Sequence, residues 1–151
     1  MAVTYDEISY KYIEKGLKTI INDEFKNVYV SPKFTMRGTE CIRIMVESSD
    51  NEETTYSYEQ RVFNVIVRYY QKGDVRSEKV YEGIRRKADR LRKHIIDNQV
   101  KDTSAAKWVS LIIDTINFNV EDEENEDIDN LNITEYLVSV IHHNPLGATY
   151  G

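Results

Sequence analysis

The chain has 151 residues, 40% hydrophobic and 30% charged, with two prolines, six glycines and a formal net charge of −6. That length fits one domain (1–151), and the composition is that of a folded chain rather than a disordered one. A single cysteine, Cys41, excludes a disulfide framework and a thiolate metal cluster.

No apolar run approaches the roughly 20 residues that span a bilayer. The start, MAVTYDEISY, lacks the basic and apolar regions of a signal peptide, so a reducing cytoplasm is the expected site of synthesis. Without an export signal, the glycosylation-type triplet at Asn132 carries little weight. Eleven tyrosines against four phenylalanines suit half-wet surfaces, either at interfaces or on exposed strand faces.

From Asp6 to Phe25 the spacing of Ile13, Leu17, Ile20, Ile21 and Phe25 predicts an amphipathic helix, with Asp6 or Thr4 as its cap. NVYVSP follows as a short strand stopped by Pro32. In ECIRIMVESS, Ile42, Ile44 and Val46 face one way and Arg43 and Glu47 the other. SDNEE reads as a polar turn. A strand of unusual length then places Phe63, Val65, Val67 and Tyr69 opposite Gln60, Asn64 and Arg68.

The clearest helix runs through RSEKVYEGIRRKADRLRKHIIDNQ, capped by Ser77, with Val80, Ile84, Ala88, Leu91 and Ile95 on one face. Gly83 inside it implies a close packing contact. Two further strands, KWVSLIIDTINFNV and NITEYLVSVIHH, flank EDEENEDID at 121–129, and 145–151 reads as a loose tail. The predicted fold is α+β: a mostly antiparallel sheet, two amphipathic helices on one face and a long acidic-tipped β-hairpin.

Charge is unevenly placed. Seven of the nine residues 121–129 are acidic, whereas 77–98 holds seven Lys/Arg against four Asp/Glu. The acidic stretch lacks the glycine and spacing of an EF-hand loop, although loose divalent-cation binding stays open. His142 and His143, adjacent on a strand, face opposite ways, and His94 lies on the basic helix, so no metal site is expected. There is no nucleophile elbow, phosphate-cradling loop or nuclease-like carboxylate and lysine set, so neither catalysis nor a cofactor is expected. The basic helix has three readings: a solvated face, a contact with an acidic protein surface, or phosphate binding.

Element order and strand character resemble the tail terminator (tail completion) proteins of long-tailed bacteriophages and their tail-to-head joining relatives. The likeness covers nearly the whole chain. It rests on the leading helix through YIEKGLKTIINDEF, SPKF, the paired strands CIRIMVESS and EQRVFNVIVRYY, the helix KVYEGIRRKADRLRKHI, and the last hairpin.

The resemblance implies a virion structural protein made in the bacterial host cytoplasm and located at the neck, the upper end of the tail. Such a protein forms a ring, usually hexameric, that caps the tail tube and meets the neck connector, and the sheath where there is one. No membrane is involved, and DNA only passes through the lumen. Arg85, Arg86, Lys87, Arg90 and Lys93, with Glu121, Asp122, Glu123, Glu124, Glu126 and Asp127, are then the expected contact residues. The acidic tip, mobile in the free subunit, would meet the basic helix of an adjacent subunit or a basic tube or connector surface. Another neck component, such as a head-completion protein, and a small nucleic-acid-binding domain using helix 79–94 are the alternatives.

Overall fold

The computed structural model describes residues 7–32, 35–36 and 38–146. The helix caps expected at Thr4 and Asp6, and most of the expected tail, lie outside them. A π-helical segment, Ile8–Glu14, runs straight into helix α1, Lys15–Asn22. Strands β1 (Val28–Val30), β2 (Glu40–Thr54) and β3 (Tyr58–Lys72) follow, then helix α2 (Glu78–Ile96). Two short strands, β4 (Lys101–Asp102) and β5 (Lys107–Trp108), lead into β6 (Ser110–Phe118) and β7 (Leu131–Pro145).

Five strands form one sheet in the order β1-β2-β3-β7-β6, antiparallel except for the parallel β1·β2 pair; β4 and β5 form a separate ribbon. The fold is α+β, as its patterning predicts. β3 and β7 pair from Tyr58↔Pro145 to Lys72↔Leu131, so two 15-residue strands make the spine of the molecule. Pro145 sits at the last register position, where a missing N–H costs no interior ladder bond.

Both helices cover the same sheet face. Ile13, Leu17 and Ile21 from the first, and Leu91 and Ile95 from the second, pack on Ile42, Ile44, Val67, Tyr69, Tyr136 and Val138. The wider π winding explains the start: Ile8 and Ile13, five residues apart, both reach this core. Buried aromatics keep their polar ends bonded: Tyr136 Oη to Ala88 O, Tyr69 Oη to Glu40 (2.6 Å) and Trp108 Nε1 to Asn98 O (2.9 Å). Gly16 allows α1 to press on the segment before β5, since a Cβ there would lie 2.9 Å from the Ala106 Cβ.

Several local expectations are corrected. SDNEE is strand, not turn: Asp50 pairs with Val62 and Asn51 with Arg61, and its polar side chains are tolerated because they are largely exposed. The turn falls at Thr55, whose Oγ1 accepts the Ser57 and Tyr58 amides at 3.2 and 3.1 Å. Ser77 stands at the N-cap of α2, yet its side chain makes no capping bond. Val80 is exposed. Gly83 touches nothing a Cβ would disturb; the close approach is at Gly73, where a Cβ would meet Val80 Cγ1 at 2.8 Å. Arg43 is buried, because Pro32, whose carbonyl accepts from it, Met36 and the acidic loop lie over the second sheet face. Tyrosines divide: Tyr69, Tyr70 and Tyr136 are core, while Tyr10, Tyr29, Tyr56 and Tyr81 face outward.

Candidate interaction surfaces

β6 and β7 deliver residues 119–130 to one pole of the sheet, where the loop folds back over the face opposite the helices. Positive φ at Asn119 (60°) and Asn130 (55°) turns the chain at both loop ends, a conformation asparagine tolerates better than most residues. Between them Glu123–Asn125 winds as a 3₁₀ turn. Val120, Ile128 and Leu131 pack on a second small core of Met36, Cys41, Tyr70 and Ile133.

Polar contacts complete the anchoring. The Asp122 side chain is only 6% exposed; it accepts from Tyr70 Oη at 2.9 Å and Asn125 Nδ2 at 2.9 Å, and lies 3.7 Å from Arg68. Buried Asn125 receives the Met36 amide at 2.6 Å. Arg68 in turn pairs with Glu135 across β3·β7 at 2.8 Å. Burial alone would raise the Asp122 carboxyl; the hydrogen bonds from Tyr70, Asn125 and the Glu124 amide, with the charge of Arg43, outweigh it and hold the group below its ordinary pKa.

The expected mobile tip is therefore a docked loop. Asp122 is turned inward as its anchor, while Glu121, Glu123, Glu124, Glu126 and Asp127 face solvent, joined by Asp129. Six exposed carboxylates stand on a fixed frame. Among the described residues, no three His, Cys, Asp or Glu side chains converge as metal ligands. Nor is any helix of those residues long and apolar enough to cross a membrane.

The basic helix differs more from its sequence reading. Arg86 pairs with Glu82 (2.5 Å), Lys87 with Glu40 (2.8 Å), Arg90 with Glu24 (2.8 Å) and Lys93 with Asp97 (2.7 Å). Arg85 donates to Tyr81 Oη at 3.0 Å and lies 3.9 Å over the exposed Phe118 ring. Glu40 feels this: burial raises its carboxyl, but bonds from Lys87 and Tyr69 prevail and hold it low. Much of the positive charge of α2 is thus answered within the subunit, by Glu82 and Asp97 one turn away and by Glu40 and Glu24 far away in sequence.

Sequence reasoning passed over a different cationic surface. Lys11, Lys15 and Lys18 occupy the solvent side of the first helical stretch, opposite Ile13, Leu17 and Ile21. Their spacing of four and three is visible in the sequence, but three lysines on a short helix look unremarkable beside seven cations on a long one. Lys107 joins them through Tyr12, whose ring has the Lys11 and Lys107 ammonium groups at 5.4 and 5.0 Å. Tyr12 also stacks on His142 at 5.9 Å, beside a cavity of about 220 Å³. Burial pushes the His142 imidazole below its ordinary pKa, so the ring is neutral there near pH 7. The loop and the Lys11, Tyr12 and Lys107 group lie near opposite ends of β7. In comparison with known proteins, the chain matches no family model and no curated protein.

Proposed function

We propose that the chain is a bacteriophage virion structural protein of the tail terminator type, forming a ring that caps the tail tube and joins it to the neck. The observation that carries this reading is the acidic loop: six outward carboxylates held on a docked frame at one pole of a long sheet. A catalytic role gives no reason for such a display. Docking does, because a pre-ordered charged surface loses little conformational freedom on association and steers a basic partner into register. The α+β layering, with both helices on one face, accords with the resemblance in element order. The nucleic-acid alternative loses support, since Arg86, Lys87, Arg90 and Lys93 are already paired.

The test is molecular mass in solution by light scattering over a concentration series, with and without magnesium. A discrete multiple of 17.7 kDa, near six chains, is the expected result. Purified rings should then bind the open end of tail tubes in electron micrographs. Monomers at every concentration, both in solution and on particles, overturn the reading. Rings that bind head connectors but not tubes favour a head-completion role.

A further inference from the structure

We infer that the acidic loop of one subunit seats on the Lys11, Lys15, Lys18 and Lys107 surface of a second copy of the chain; this rests on the ring-forming role proposed above and names its contact. None of these four lysines forms an ion pair among the described residues, whereas Arg86, Lys87, Arg90 and Lys93 on α2 all do. The acid among the three helical lysines is withdrawn: Glu14 Oε2 accepts the Val46 amide at 3.2 Å. Glu7 lines the same cavity as Lys11 but forms no ion pair with it. Of the loop acids, Glu121, Glu123, Glu126, Asp127 and Asp129 likewise form no ion pair among the described residues.

Geometry keeps the two surfaces apart within one subunit. The loop returns to the sheet at Leu131, whereas Tyr12 and its flanking lysines sit against His142. Eleven residues of extended strand separate those positions, roughly 36 Å at ~3.3 Å per residue. The loop also covers the sheet face opposite the helices, on whose outer side the lysines lie. Lys11 and Lys107 cannot reach the loop across that distance, and Lys15 and Lys18 lie on the outer side of a helix across the sheet from it, so each subunit carries an acidic and a basic surface that do not meet within it. A second copy supplies both complements. Because the two surfaces differ, the contact is head-to-tail, the kind that closes into a ring after a fixed rotation.

Three proteins test the pairing: K11E/K15E, E123K/E126K, and a chain carrying all four changes. None of these residues is buried, and circular dichroism melting checks that each variant folds like wild type. Sedimentation velocity at about 0.05 M and about 0.5 M salt then gives the masses. Wild type is expected to assemble, less so at the higher salt. Each double variant alone is expected at the 17.7 kDa of one chain. An equimolar mixture of the two double variants should regain larger assemblies of alternating chains, since the original pairing and the charge-reversed pairing both form between unlike chains. The fourfold variant should regain larger assemblies.

Wild-type rings matched by both double variants overturn this contact and leave the ring reading standing. Loss of assembly in the double variants, with no recovery either in their mixture or in the fourfold variant, also overturns it. A wild-type monomer under every condition removes the ring reading, and this contact falls with it.

Discussion

Asp122 accepts hydrogen bonds from Tyr70, Asn125 and the Glu124 amide, so its removal takes an acceptor away from two buried side chains and one backbone amide. Asp122→Ala is expected to destabilise the fold by about 1–3 kcal/mol in urea titrations, with faster amide exchange at 120–130. Asp122→Asn, which retains an acceptor oxygen, should lose less. The sign with pH follows from the lowered carboxyl: this stabilisation is present above the ordinary carboxylate range and is lost as pH falls through the folded-state value. His142 acts at higher pH. Burial lowers its folded pKa, Lys107 and His143 oppose its charging, and the Lys107 carbonyl and Glu59 favour it. The unfolded chain therefore takes up the proton first, and stability falls as pH drops below about 6.5. Glu14, raised by burial, works in the opposite direction at lower pH. His142→Phe should flatten the fall in melting temperature between about pH 7.5 and about pH 5.5. Gly83, in open surroundings on α2, should gain about 1 kcal/mol of stability on replacement by alanine.

At the scale of elements, α2 separates packing from charge. Leu91 is fully buried between helix and sheet, so Leu91→Ala should cost about 2–5 kcal/mol. Arg86 and Arg90 lie outside, each in an exposed pair. Their reversal to glutamate should cost only about 0–1 kcal/mol per lost pair, plus repulsion from Glu82 and Glu24. Because those charges are answered within the subunit, the same reversal should weaken assembly less than reversal of Lys11 and Lys15. Urea midpoints and sedimentation on the same samples decide both points.

For the whole molecule, the acidic loop sets solubility and association together. Replacing Glu121, Glu123, Glu124 and Glu126 with serine, while keeping Asp122 as anchor, removes repulsion among exposed carboxylates and leaves the buried contacts intact. Monomer stability should stay within about 0.5 kcal/mol of wild type or rise. Association should weaken and, on the tail-terminator role proposed above, the fraction of tails joined to heads in infected cells should fall. Normal numbers of joined, infectious particles would remove any docking role from the loop.

Periodicity alone determined most of the architecture. Apolar spacing at 3.6 and 2 residues identified both helices and the principal strands, because burial on one face imposes those periods on any amphipathic element. Ile42, Ile44, Phe63, Val65, Leu91 and Ile95 could be assigned to the core before any coordinates. The acidic and basic segments were equally plain as local composition. Which charges remain available was not, because neutralisation depends on partners far apart in sequence: Arg90 with Glu24, Lys87 with Glu40, Asp122 with Arg68. Strand length also escaped local reading at 50–54, where the ladder with β3 overrides a turn-like composition. Tertiary structure thus turned a free-looking loop into a docked one, paired four of the seven α2 cations and left Lys11, Lys15 and Lys18 on the first helical stretch without an ion pair among the described residues. A residue's type is local, but its electrostatic environment is set by whatever the fold brings beside it.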